Sequence, residues 1–127
     1  MARVLYSAVV LSEHFRKELL DKFQNIIPEG WKPFAHHLTI NLGPLDEDLK
    51  VAEGLGVVLK ITHIGKSDKA MALKCDTEIS KNKVPHITLA VNVNEGGKPV
   101  DSNKIEVWEP LGEEIFVMGA ITEVKAQ

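Results

Sequence analysis

At 127 residues, with 44% hydrophobic and 26% charged side chains, the chain has the size and balance of one soluble globular domain, residues 1–127. A formal net charge of −3 excludes the broad basic footprint that holds long duplex nucleic acid, but is compatible with a small or terminal nucleotide. The single cysteine, Cys75, excludes an intrachain disulfide and a cysteine-rich zinc centre, and no apolar run reaches membrane-spanning length. Tyr6 and Ser7 interrupt the apolar start of the chain and Glu13 and His14 follow closely, so the expectation is a cytoplasmic, unprocessed protein.

Val4 to Leu11 is apolar and rich in β-branched residues, which predicts a strand buried on at least one face. Ser12 then supplies an N-cap and Glu13 a favourable charge at the positive end of a helix. Leu11, Phe15, Leu19, Phe23 and Ile27 recur every four residues as a core-facing stripe, with Pro28 and Gly30 ending it. Trp31 to Phe34 leads into a strand that begins at His37 and breaks at Gly43-Pro44. Asp46 to Glu53 reads as a loop or a single helical turn. Strands are expected over Gly56–Ile64 and Ala70–Cys75, then from His86, and finally over Ile115–Val124. Asn94 to Pro99 is a loop, with a short helix expected near Ser102 to Ile105. The tally is about six strands and one main helix, an α+β pattern.

Two of these strands carry the same pattern: His37-Leu38-Thr39-Ile40 and His86-Ile87-Thr88-Leu89, 49 residues apart. Strand side chains alternate, so each copy presents its imidazole and hydroxyl on one face and its apolar residues on the other. If the strands lie side by side, two His and two Thr converge on one cleft. That set suits phosphodiester chemistry. One imidazole takes a proton from water, another protonates the departing oxygen, and the hydroxyls hold the nonbridging phosphate oxygens. Two such strands also predict related half-structures facing each other across a groove.

On these motifs the chain resembles the 2H phosphoesterase superfamily, which includes 2′-5′ RNA ligase-like proteins and cyclic nucleotide phosphodiesterases. Pro85-His86-Ile87-Thr88 with Pro99-Val100-Asp101-Ser102 is also similar to the phosphodiesterase domains attached to some RNA-repair ligases. The resemblance implies a pseudo-symmetric two-lobed α+β fold with antiparallel sheets flanking a central cleft. It implies metal-independent hydrolysis of a 2′,3′-cyclic phosphate, on an RNA end or small nucleotide, to a phosphomonoester, with neither cofactor nor metal. His37 and His86 would be catalytic, with His86 activating water and His37 protonating the leaving oxygen, or the reverse. Thr39 and Thr88 would bind the phosphate. The partner would be a small nucleotide or an RNA terminus bearing a cyclic phosphate, with no membrane, and the protein a monomer. At 127 residues the chain is short for the superfamily and its second lobe pared down.

Tyr6, Phe34 and Trp108 are candidates to stack on a base, with core packing the alternative for each. Lys83, like Lys81, either steers an anion or is a solvated loop cation. His36 is expected on the face opposite His37 as a structural or supporting residue, His63 in the core, and His14 exposed on the helix. Gly96-Gly97-Lys98 lacks phosphate-loop spacing and reads as a turn. Two other readings stand beside the phosphodiesterase. One is a binding module of the same fold with little turnover. The other is a metal-dependent hydrolase built on His36, His37, His63 and His86, which the opposite facing of His36 and His37 disfavours.

Overall fold

The computed structural model describes residues 3–126. In chain order the elements are β1 (Val4–Leu11), α1 (Glu13–Phe23), β2 (Lys32–Pro33), β3 (His37–Asn41), α2 (Glu47–Lys50), β4 (Gly56–Lys66), β5 (Ala70–Asp76), β6 (His86–Val91) and β7 (Trp108–Lys125). Short 3₁₀ turns at Val93–Glu95 and Pro99–Lys104 separate β6 from β7.

Period-two patterning decides how these strands assemble. Val9 and Leu11, Leu38 and Ile40, Leu59 and Ile61, Leu73 and Cys75, Ile87 and Leu89, and Val117 and Ile121 all bury alternate side chains in one core. Each of these side chains removes apolar surface from water at about 25 cal/mol per Å². The strands pair antiparallel throughout, in the order β2-β6-β3-β1-β7-β4-β5, and β5 also pairs with β6 so that the order returns on itself. The α+β, antiparallel expectation holds, with the strands hydrogen-bonded into one continuous sheet. No helix among the described residues is long and apolar enough to cross a membrane.

The helix starts as predicted, with the Ser12 hydroxyl accepting from the Phe15 N–H, and buries Leu19 and Phe23. It ends four residues short of the Ile27 expected from the stripe. Pro28 has no N–H for the carbonyl four residues back, which loosens the preceding turn. Ile26 and Ile27 instead both donate to the Phe23 carbonyl.

β7 extends well ahead of the expected Ile115. Pro110 and Gly112 hide this first part in the sequence, because both read as breaks. Between the Ile61↔Ile115 and His63↔Pro110 pairs β4 advances two residues while β7 steps back five, so Gly112, at φ 76°, sits in a bulge. Gly119 lies where β7 crosses β1, and a Cβ there would stand 2.6 Å from the Val10 carbonyl oxygen. The expected short helix near Ser102 is the 3₁₀ turn Pro99–Lys104, pinned where the Lys98 N–H donates to the Asp101 carboxylate at 2.9 Å.

Candidate active site

The pairing of β3 with β6 builds the site. Leu38 lies opposite Ile87, and both are fully buried on the core side. In an antiparallel pair, stepping one residue each way sets His37 across from Thr88 and Thr39 across from His86, all four on the other face. Each imidazole thus faces the hydroxyl of the other motif. All four line one cavity of about 630 Å³. The adjacency that the repeated tetrapeptide required is a property of the sheet.

The two imidazoles are held differently. His86 is 8% exposed. Its Nδ1 donates to the Val84 carbonyl at 2.7 Å. A carbonyl only accepts, so the proton must lie on Nδ1, and in the neutral ring Nε2 carries the lone pair. Burial lowers the His86 pKa and the Val84 bond partly opposes that. His37 is half-buried, with its ring stacked on Tyr6 at a centroid distance of 5.0 Å. Burial, and then the neighbouring charges of His36 and His86, push His37 down to about 4. Both imidazoles are therefore neutral at pH 7 in the free protein.

The hydroxyls differ as well. Thr88 Oγ1 lies 2.8 Å from Ser102 Oγ and 3.4 Å from the Pro99 carbonyl. Ser102 is 1% exposed, so the 3₁₀ turn carries a buried hydroxyl against the second motif. When Ser102 donates to Thr88, the Thr88 proton is free to turn into the cleft. Thr39 lends its carbonyl to the Ser80 hydroxyl at 2.7 Å, which fastens the 80–82 segment along β3 and brings Asn82 to the cleft wall.

Of the other expected contacts, Tyr6 and Phe34 line the cavity, whereas Trp108 and Lys83 do not. Trp108 packs beside His86, with ring centroids 6.4 Å apart, and lies over Gly65, so it supports the imidazole from behind. Lys83 is exposed outside the cleft and Lys81 pairs with Asp46 at 2.9 Å. His14 is exposed on α1 beside Glu18, as expected. His63 is not in the core: it is half-buried in a separate shallow groove, against the Thr62 hydroxyl at 2.8 Å. The four-imidazole metal set is therefore not assembled, and no group of three or more His, Cys, Asp or Glu among the described residues is placed to hold a metal.

His36 corrects the simple alternation. Between the Pro33↔Ala90 and Leu38↔Ile87 pairs the first strand advances five residues while β6 steps back three. Phe34 to His36 is thus a bulge, held by Phe34 N–H to Leu89 O and Ala35 N–H to Thr88 O, with Ala35 at φ 49°. Bulges re-aim side chains. This one turns His36 into the cleft beside His37, their Nδ1 atoms 2.9 Å apart.

Sequence reasoning also missed Arg16. It sits one residue from the apolar stripe of α1, and its Nε donates to the Phe34 carbonyl at 2.8 Å. That bond holds the guanidinium at the cleft wall, where Lys32 is the other cation. Among the described residues no carboxylate lines the cavity. A chain of net charge −3 thus presents a positive, aromatic-edged cleft to an anion. The helix stripe and Ser12 cap predict the start of α1, and a basic residue flanking the stripe in its first turns was the available signal for Arg16.

The sequence matches no protein-family model and no curated protein sequence. Among solved structures it is similar to that of Escherichia coli LigT complexed with NADP+. The alignment covers all of this chain and 96% of that one, at 16% identity and a TM-score of 0.50. At that identity the likeness speaks for the fold alone. The chain has an α+β, antiparallel fold like that of LigT.

Proposed function

We propose that the protein is a metal-independent phosphodiesterase that opens a 2′,3′-cyclic phosphate on an RNA end or small nucleotide to give a phosphomonoester. The observation that carries this reading is the β3–β6 register, which sets each motif's imidazole against the other's hydroxyl in one cleft free of carboxylates. The LigT-like fold is in keeping with it.

In this mechanism the phosphate sits between Thr39 and Thr88, with Arg16 and Lys32 offsetting its charge. His86 is the better base, because the Val84 carbonyl fixes its proton on Nδ1 and leaves the Nε2 lone pair for a water molecule. As that water attacks phosphorus, a ribose oxygen leaves and takes a proton from His37. The bound anion raises the affinity of the cleft for that proton, which the free protein holds weakly. Acid and base roles of this kind are each worth about 10²–10⁴ in rate. Tyr6 and Phe34 offer flat surfaces to a base at the cleft edge.

The test is incubation with the four nucleoside 2′,3′-cyclic monophosphates and a short RNA ending in a 2′,3′-cyclic phosphate, with EDTA present throughout. The reading predicts opening to one phosphate isomer, and that isomer identifies the leaving oxygen. Tight binding without product would favour the binding-module reading, and loss of turnover on chelation would overturn the metal-independent mechanism.

A further inference from the structure

The proposed mechanism uses two imidazoles, but the cleft holds three. His36 and His37 approach through like atoms, Nδ1 to Nδ1 at 2.9 Å, with rings edge-to-face at 83°. A hydrogen bond needs one N–H and one lone pair, so a single proton lies between the two Nδ1 atoms. In a neutral pair this couples the far nitrogens. If His36 donates, His37 carries its own proton on Nε2. If His37 donates, its Nε2 holds a lone pair and the Nε2 proton is on His36. Exchanging these two states takes one hop of the central proton together with loss of a proton at one Nε2 and gain of a proton at the other.

The surroundings of the two rings are unequal. His36 is exposed, whereas His37 is half-buried under Tyr6. The bulge that creates the contact is set by two backbone hydrogen bonds to β6 and by the left-handed Ala35, so the arrangement is built into the sheet. His86, by contrast, gives its Nδ1 proton to a main-chain carbonyl and has no second ring to exchange with.

We propose that His36 is a positioning residue and proton port for His37, fixing which nitrogen of His37 bears the proton and carrying protons between that ring and solvent. The inference rests on the reading of His37 as the proton donor. In the forward step His37 Nε2 gives its proton to the leaving ribose oxygen. The central proton moves from His36 Nδ1 to His37 Nδ1 and His36 Nε2 takes a proton from solvent, so the pair passes through the protonated form that the bound anion favours. One proton enters at the exposed ring, one leaves at the buried ring, and no isolated imidazolate forms. To restore the starting state the proton taken by His86 passes to His37 Nε2, the central proton returns to His36 Nδ1, and His36 Nε2 releases one proton to solvent.

Two measurements test this. The first is the through-hydrogen-bond ¹⁵N–¹⁵N coupling between His36 Nδ1 and His37 Nδ1 in labelled full-length protein. It is expected in the wild type and lost in His36→Gln, and its absence from the wild type overturns the pairing whatever the activity. The second is turnover of the cyclic-phosphate RNA by His36→Ala and His36→Asn, with folding checked by circular dichroism. The expected loss in kcat is about tenfold, short of the 10²–10⁴ for removing a general acid or base, with KM little changed. Added imidazole should restore kcat in His36→Ala and leave the wild type unmoved. Wild-type kcat in both variants, or a loss that imidazole does not rescue, overturns the proton port. If the wild type itself turns over no cyclic phosphate, the phosphodiesterase reading fails, while the nitrogen coupling still decides the imidazole pair.

Discussion

The two motif strands carry the same four-residue pattern in opposite kinds of surroundings. On β6, His86 is buried and tied to the Val84 carbonyl, and Thr88 is backed by the buried Ser102. On β3, His37 is more open, stacked on Tyr6 and joined Nδ1 to Nδ1 to the imidazole of His36. One half fixes a lone pair, and the other, in the proposed relay, adjusts a proton. A sequence repeat thus sets matching side chains face to face, while the groups behind them make the pair unequal. An acid–base pair needs that inequality.

The inequality can be probed at several points. Ser102→Ala removes the hydroxyl behind Thr88 and should lower kcat/KM by about fivefold to tenfold, from a hydrogen bond worth roughly 1 kcal/mol. Steady-state kinetics on a cyclic-phosphate substrate measures it, and an unchanged kcat/KM would show that Thr88 needs no support. Arg16→Ala should act mainly through KM, raising it by about the same factor, because in the proposed mechanism the guanidinium meets the substrate's charge before and during reaction alike. A fall confined to kcat would give Arg16 a transition-state role instead.

Acidity bears on the same pair. In the free protein both imidazoles titrate below the usual 6.5, His37 at about 4, and the proposed mechanism needs one of them protonated and the other neutral. That state is most populated below pH 6.5, so the optimum of kcat/KM should lie there. The optimum of kcat should lie higher, since the bound phosphate retains the proton. For stability the sign is the same. The unfolded chain binds more protons than the folded one between pH 6.5 and about 4, so the melting temperature should fall as pH drops through that window. His37→Ala should flatten the fall, and an identical slope would remove His37 as its cause.

The smallest effect is expected at the bulge. Ala35→Gly relieves a left-handed alanine and should leave stability within about 1 kcal/mol of the wild type. A β-branched side chain cannot hold that conformation comfortably. Ala35→Val should therefore lower the melting temperature and separate His36 from His37, which thermal denaturation and the ¹⁵N–¹⁵N coupling would report.

Much of this was legible in the sequence. Strict alternation through His37–Leu42 and His86–Val91 predicts both strands, the side chains that share a face, and a cleft if the strands are neighbours. The stripe of α1 and its Ser12 cap predict the helix start. What escaped was whatever depends on interruption of a period. The bulge at Phe34–His36 moves His36 to the face that alternation denies it. The bulge around Gly112 conceals the first part of β7 and with it the place of Trp108 behind His86. The cation of Arg16 belongs to the cleft because its Nε meets the Phe34 carbonyl, a contact between residues 18 apart in sequence. Sequence periodicity reports regular elements, and the departures that finish this site are set by tertiary hydrogen bonds.

Whether His37 and His86 act as one unit is decided most directly by the rate of cyclic-phosphate opening, in EDTA, by His37→Ala, His86→Ala and the double variant, each shown to be folded. Each single variant should lose about 10²–10⁴-fold in kcat, and the double should be little worse than either, as for residues that work together. A single variant retaining near-wild-type turnover would contradict the two-imidazole mechanism.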